Sequence, residues 1–227
     1  TSAIVKRISN RSISANRKRN IFIILTIALA SALLSAIVLY GFGVMQETQN
    51  RNQKTAQIMY HAISEQQGQE LYKQEEIAWV GEFFNAFSEQ VNHSTVNFTY
   101  ANADMLKSQS MLYSGDLPAS ENEIVVQESF LDSLGYSNEL GQTIQIPFSD
   151  GTTHDFKLTG ILDVKTGDIG RYTAIISKEL VRQQYGDEGM IDYYIGLKGA
   201  QNMSEEEATN YANTLAQQLK ISDDNVI

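Results

Sequence analysis

The chain has 227 residues, 42% of them hydrophobic, with two prolines and no cysteine. A chain of this length can bury a core. The absence of cysteine excludes a disulfide scaffold, a cysteine zinc site and a catalytic thiol. Residues 1–20 hold six of the 17 basic side chains and no acid, whereas all 27 acids follow residue 20, so the net charge of −10 divides into +6 and −16. We interpret this asymmetry as the mark of a membrane between the two parts.

The first 20 residues predict a basic cytoplasmic lead-in. Apolar side chains lie among its basic residues, at Ile4, Val5, Ile8 and Ala15. This pattern favours an amphipathic helix on the inner leaflet, and a disordered basic tail is the alternative.

Residues 21–45 form an apolar segment without a charged side chain. A helix of this length spans about 37 Å, more than the ~30 Å of bilayer hydrocarbon, and the segment lacks the short core and cleavage site of a signal peptide. We therefore expect an uncleaved transmembrane helix. The basic cluster Arg17, Lys18 and Arg19 precedes it, whereas residues 46–53 carry one acid and one base. By the positive-inside rule the N-terminus is cytoplasmic and the chain after residue 45 is extracellular.

Small side chains mark one face of the predicted membrane helix. Ala28, Ala32 and Ala36 recur every four residues, and Ser31 and Ser35 lie beside them. Such spacing lets a second helix approach closely in lipid, so it predicts a packing surface for another membrane helix. The alternative is that alanine is simply common in membrane helices.

Residues 46–227 predict an extracytoplasmic α+β domain. Its first part indicates a strand at 56–63, a helix from Gln67 to Val80, and strands at 82–87 and 96–101. Its middle part indicates strands at 123–127, 143–146, 156–162 and 172–176, with helices at 129–134 and 178–185.

The last part of the chain indicates a strand at 192–197 and a helix to Leu219, introduced by a capping box at Ser204 and Glu207. The sequence predicts a further strand from Asn225, so we expect the domain to continue beyond Ile227. The fold class we predict is a single N-terminal transmembrane helix followed by a two-lobed α+β domain. A βαβ-rich lobe, 56–105 with 190–227, would carry an inserted strand-rich lobe at about 108–189.

Sequence signatures of catalysis are absent. The chain has no phosphate-binding loop G-x-x-x-x-G-K-[ST], no G-x-S-x-G and no H-E-x-x-H. The histidines His61, His93 and His154 are scattered, whereas a metal site needs convergent ligands. The acidic outer part would repel nucleic acid. We expect a protein that is not an enzyme, with no catalytic residue, no metal, no cofactor bound by this chain and no nucleic-acid partner.

A succession of motifs in the outer part resembles one family. The segment Gly115-Asp-Leu-Pro118-Ala-Ser-Glu-Asn-Glu-Ile-Val-Val126 is followed by Leu140-Gly-Gln-Thr-Ile144 and Phe156-Lys-Leu-Thr-Gly-Ile161. All three lie behind a basic-flanked apolar helix. This order is similar to that of the FtsX-like, MacB-type permeases of ABC transporters.

The resemblance implies a permease subunit with four membrane helices and an outer domain between the first and second. ATP would be bound by a partner, an ABC ATP-binding subunit, and a second permease copy or paralogue would complete the complex in a bacterial plasma membrane. ATP-driven closure would move the outer domain, for export or mechanical work on peptide, lipoprotein or cell-envelope clients. Two alternatives stay open: the outer domain of a membrane sensor or chemoreceptor, with one well-formed ligand pocket, and a membrane-anchored enzyme or assembly protein.

Overall fold

The apolar N-terminal segment and the outer part form separate units. The computed structural model describes residues 3–7, 9, 17–164, 171–186 and 190–227, with the backbone alone for Lys18 and residues 46–53. The two units are Thr1–Arg51 and Asn52–Ile227. Residues 3–7 are helical, with Ile4 and Val5 exposed. Ile8 and Ala15 of the predicted amphipathic lead-in lie outside the described residues.

A long helix, α1 (Arg17–Lys54), contains the predicted span. Its stretch Arg19–Met45 is long and apolar enough to cross a membrane, and its described side chains are exposed throughout. A helix satisfies its backbone hydrogen bonds internally, and an apolar surface on every side matches lipid rather than water.

The second unit is a mixture of strands and helices. In chain order after α1, they are β1 (Ile58–Ile63), α2 (Glu65–Leu71), β2 (Ile77–Val91), β3 (Ser94–Ala101), α3 (Ala103–Ser108), β4 (Leu112–Gly115), β5 (Glu123–Gln127), α4 (Glu128–Leu134), β6 (Thr143–Pro147), β7 (Thr153–Asp163), β8 (Arg171–Ile176), α5 (Lys178–Tyr185), β9 (Ile191–Leu197) and α6 (Glu205–Leu219). Short 3₁₀ turns occupy Ala200–Asn202 and Asp223–Asn225. The predicted α+β class, with one N-terminal apolar helix, is confirmed.

Within the described residues, nine strands form one continuous sheet. Its order is β1-β9-β2-β3-β8-β5-β7-β4, and β6 pairs with β7. The parallel pair β3–β8 joins two groups of strands. The strands β1, β9, β2 and β3 come from the segments predicted as the first lobe, and the others come from the segment predicted as inserted. The two predicted lobes thus occupy opposite halves of a single sheet, and their division into domains stays a prediction.

Both faces of the sheet centre are covered. In β5, Ile124 and Val126 pack in one hydrophobic cluster with Phe130 of α4, whereas Val125 packs in another with Met105 of α3. This explains why β5 is a continuous apolar run rather than an alternating one. A third cluster lies between α6 and strands β1, β2 and β9. The buried residues of α6 are Ala208, Ala212, Leu215 and Ala216.

The predicted helix from Gln67 to Val80 is wrong in its second half. Helix α2 starts at a Ser64–Gln67 capping box and ends at Leu71, and β2 begins at Ile77. Ile77 pairs with Leu197 of β9, a partner distant in sequence that helical spacing does not reveal. The structure has two elements, α3 and β4, that the sequence analysis does not predict.

Candidate functional site

The predicted packing face lies on α1. Its members are Ala28, Ser31, Ala32, Ser35 and Ala36, and all five side chains are exposed. The Ser35 hydroxyl donates to the carbonyl of Ser31 at 2.8 Å. This polar group is therefore satisfied within the helix and adds no cost in lipid. The role of the face in helix packing stays a prediction.

The predicted anchor charges lie at the first turn of α1. Arg17 and Arg19 are exposed there, and the side chain of Lys18 lies outside the description. They directly precede the stretch that is apolar enough to cross a membrane. Their cytoplasmic location stays a prediction.

The connection from α1 to the sheet is short. Helix α1 ends at Lys54, and Gln57 is already bonded to β9. The Gln57 N–H donates to the carbonyl of Ile195 at 2.9 Å, and the Leu197 N–H donates to the Gln57 side chain at 2.8 Å. Two residues, Thr55 and Ala56, lie between the end of the helix and Gln57.

The last residues of the chain lie at the same edge of the sheet. Met59 in β1 and Ile227 exchange backbone hydrogen bonds of 2.8 and 3.0 Å, and Val226 forms a bridge with Tyr60. The strand predicted near residue 225 is thus a short extension on β1. Both the segment that follows α1 and residue 227 attach at this edge.

A buried carboxylate lies where α5 meets β2 and β3. Glu82 is 4% exposed. It accepts hydrogen bonds from the hydroxyls of Tyr72 (2.7 Å) and Tyr100 (2.6 Å), and it lies 2.9 Å from Lys178 Nζ. Burial raises the pKa of both tyrosines, and the Glu82 charge raises each further. Both hydroxyls therefore stay protonated and act as donors.

Glu65 extends this network to the start of α2. It lies 3.4 Å from Lys178 Nζ and accepts two hydrogen bonds from Arg182 of α5. Burial alone would raise the pKa of Glu65, but the hydrogen bonds and positive charges of Arg182 and Lys178 outweigh it and hold the pKa below its usual value. We call the six residues Glu65, Tyr72, Glu82, Tyr100, Lys178 and Arg182 the polar cluster. It is charge-balanced, and it ties α5 of one half of the sheet to α2 and β2 of the other.

The motif that carries the family resemblance closes a loop before β5. The Glu123 carboxylate accepts hydrogen bonds from the N–H groups of Ala119 (2.8 Å) and Ser120 (3.2 Å). The bond from Ala119 is the main reason that the pKa of Glu123 is lowered. The acid of this motif therefore has a structural role, because it satisfies backbone donors that no strand can pair.

Two of the three glycines in the motifs of the resemblance lie opposite each other. Gly115 of β4 (φ +81°) pairs with Gly160 of β7. A Cβ at Gly115 would lie 2.3 Å from the Thr159 carbonyl oxygen, and one at Gly160 would lie 2.6 Å from that of Ser114. Only glycine allows so close an approach between the strands.

The three histidines are exposed. Within the described ranges, no group of three His, Asp or Glu side chains could hold a metal ion. His61 lies 2.7 Å from Asp192 and is 55% exposed, and His154 lies in the exposed β6–β7 hairpin. Two grooves, about 590 Å³ beside β4 and α4 and about 380 Å³ beside β1, are open to solvent.

Comparison with protein families matches most of the chain. The model of the MacB-like periplasmic core domain matches residues 21–213. The match begins in the apolar stretch of α1 and ends within α6. A search of curated proteins by sequence finds no significant match.

Solved structures match at low sequence identity. The periplasmic region of MacB from Actinobacillus actinomycetemcomitans has a TM-score of 0.52 and 12% identity, over 75% of this chain and 86% of that one. A domain of a putative permease protein from Porphyromonas gingivalis has a TM-score of 0.54 and 8% identity, over 78% of this chain and 88% of that one. The extracellular domain of the noncanonic ABC-type transporter YknZ from Gram-positive bacteria has a TM-score of 0.51 and 9% sequence identity. The match covers 74% of this chain and 96% of that one. At these identities the likeness shows the fold alone.

Proposed function

Since this chain belongs to the family of MacB-like periplasmic core domains, we propose that it is the permease part of a MacB/FtsX-type ABC transporter. In this proposal it transmits motion from a cytoplasmic ATPase to its extracellular domain. The family match carries the proposal, because residues 21–213 include both the apolar helix and the outer domain. An unrelated sensor domain behind a membrane helix is not expected to match over both parts.

We propose that the N-terminus is cytoplasmic and that residues after about 45 lie outside the bacterial plasma membrane. Residues 1–20 carry six basic side chains and no acid, a segment that translocates poorly. The native chain has no cysteine, so single cysteines report their own location. An impermeant maleimide should label Glu121→Cys in intact cells and Ser9→Cys after permeabilisation only. The reverse pattern would contradict the orientation.

Transmission rests on the continuity of the chain and the sheet. Helix α1 runs unbroken to Lys54, three residues before Gln57, whose hydrogen bonds join it to β9. The single sheet and the polar cluster tie the two halves of the outer domain together. We infer that this domain moves as one body. Residues 21–45 carry no charge, so they offer no polar path for a substrate across the membrane.

ATP is proposed to bind a partner cassette on the cytoplasmic side, and a second permease copy or paralogue is proposed to pack against α1. The small-residue face of Ala28, Ala32 and Ala36 supports the second contact, because it allows close helix approach. The proposed clients are peptides, lipoproteins or cell-envelope components. This chain itself is proposed to catalyse no reaction.

The test is affinity purification of the full-length protein from native membranes in mild detergent. Co-purifying chains are identified, and ATP hydrolysis is measured with and without vanadate. We expect a stoichiometric ATP-binding cassette and vanadate-sensitive turnover. A preparation with no cassette and no hydrolysis would contradict the proposal, and a signalling domain in the same polypeptide would favour the sensor alternative.

A further inference from the structure

Strands β4 and β6 follow one another along the same side of β7, where the sheet ends. At β6, the N–H of Gln145 donates to the Tyr136 hydroxyl at 3.0 Å, so a side chain already occupies that edge. At the opposite end of the sheet, Ile227 exchanges backbone hydrogen bonds with Met59 of β1. β4 has no such cover among the described residues, which leaves it as the edge that can accept a further strand.

The backbone groups of β4 that face outward follow from its register with β7. The N–H of Asp116 donates to the carbonyl of Thr159 at 2.9 Å. In an antiparallel pair, bonded residues alternate with residues whose N–H and C=O groups point away from the partner strand. Counting back from Asp116, the outward residues are Gly115, which is exposed, and Tyr113. Their N–H and C=O groups are those that an added strand would bond.

A groove of about 590 Å³ lies between β4 and α4. Three exposed carboxylates line it, those of Glu128 and Asp132 in α4 and of Asp163 in β7, and its described lining contains no basic side chain. Leu112 pairs with Asp163, so the two side chains lie on the same face of the sheet, and Leu112 is 61% exposed. The open edge is therefore flanked by negative charge and by one large apolar side chain.

The charge of the groove indicates what can occupy it. A second copy of this chain would bring the same three carboxylates to the edge, and like charges that meet across an interface are unfavourable. The chain after residue 20 has a net charge of −16, which also disfavours an anionic lipid surface. An extended segment with lysine or arginine side chains is complementary, because its charged ends reach the carboxylates while its aliphatic stems pack on Leu112.

The length of β4 indicates how such a segment is held. Two outward residues offer two N–H and two C=O groups, and the ordering of a free peptide opposes the gain from so few bonds. A segment that the rest of a protein holds nearby has a higher effective concentration and overcomes this cost more easily.

We propose that β4 is a docking edge for an extended basic segment of a partner protein, which adds to the sheet as a further strand beside Tyr113 and Gly115. Its basic side chains lie over the groove, against Glu128, Asp132 and Asp163. This contact goes beyond the proposed transmission of motion, and it can be measured without a cassette or ATP.

The first test titrates the full chain in a non-ionic detergent with a short peptide of alternating lysine and valine, followed by calorimetry. The expected Kd is tighter than about 1 mM. Asp132→Asn/Asp163→Asn should weaken it about tenfold or more, whereas the control Glu205→Gln/Glu206→Gln, which removes two exposed charges from α6, should change it less than about twofold. Equal effects of the two double variants, or no measurable binding to the unmodified chain, would overturn the proposal.

The second test asks whether the backbone of the peptide bonds to β4. In an added strand, the N–H groups of alternate residues face β4 and the others face away. One peptide is therefore methylated on the backbone nitrogens of its valines, and another on those of its lysines. One of the two should bind like the unmodified peptide, and the other should bind about tenfold more weakly or worse. Equal binding of the two methylated peptides, whether both bind or neither does, would overturn strand addition.

Discussion

Replacing Lys178 with methionine should destabilise the outer domain by about 3 kcal/mol. Lys178 Nζ lies 2.9 Å from Glu82, whose side chain is 5% exposed, and 3.4 Å from Glu65. Methionine keeps most of the side-chain length but not the charge, so Glu82 would remain buried with its two tyrosine donors. Removing one partner of a buried pair costs about 3–5 kcal/mol. The lower figure applies because the Lys178 side chain is 19% exposed and the tyrosines stay in place.

The charge left behind is the cause of this loss, so removing it should restore stability. The double variant Lys178→Met/Glu82→Gln should lose less than the sum of the two single losses, with a coupling of about 1 kcal/mol or more. If the loss in the double variant equals the sum of the two single losses, the two side chains do not interact in the folded protein.

Unfolding of the outer domain can be followed in the full chain, because its one tryptophan, Trp79, lies in β2. A loss of about 3 kcal/mol corresponds to a fall in Tm of roughly 6–12 °C for a domain of this size. The control is Lys73→Met, which breaks an ion pair with Glu70 whose side chains are 65% and 40% exposed and should cost at most about 0.5 kcal/mol. Equal losses for the two lysine variants would refute the reasoning.

Three further variants test other parts of the structure. Gly196→Ala would place a Cβ 1.9 Å from the indole nitrogen of Trp79. The free energy of unfolding, followed by circular dichroism, should therefore fall by about 1–3 kcal/mol. The lowered pKa of Glu65 adds stability that is present above about pH 4.3 and is lost as the pH falls through the lower folded value. In Arg182→Gln, the free energy of unfolding measured in urea should therefore fall less steeply between about pH 5 and 3 than in the unmodified protein. An equally steep fall in both proteins would contradict this. Ala32→Leu should reduce recovery of the proposed second permease subunit in pull-downs, whereas Ala30→Leu on the opposite face of the helix should not. Equal effects of the two variants would exclude the small-residue face as the packing surface.

Elements with a strong local signal could be predicted from the sequence. The Ser204–Glu207 capping box forms and starts α6 as expected. Gly135 adopts the left-handed conformation that ends α4. The apolar run 21–45 needs no tertiary information, because its length and composition suffice. These features depend on neighbours within a few residues of each other.

Strands β2 and β4, which the sequence prediction misplaced or missed, depend on distant partners. β2 begins at Ile77 because it pairs with β9, and β4 exists because it pairs with β7 across Gly115 and Gly160. A local signal did exist for α3, since Asn102 caps it by accepting from the N–H of Met105.

The polar cluster could not be predicted from spacing. Glu65 and Glu82 lie on different elements of the first predicted lobe, and Lys178 lies near the end of the inserted segment, far along the chain. Only the return of the chain through β8 brings α5 beside β2. In the sequence each of these side chains resembles an ordinary solvated charge.

Motion of the outer domain during ATP turnover tests the account most directly. A fluorophore on Glu206→Cys, an exposed position of α6 in a chain without native cysteine, can report energy transfer to acceptor lipids in the outer leaflet. In the proposed complex with an ATP-binding cassette, reconstituted in nanodiscs, trapping with ATP and vanadate should change the transfer efficiency relative to the nucleotide-free complex. An unchanged efficiency in a complex that hydrolyses ATP would contradict the claim that the chain transmits motion across the membrane.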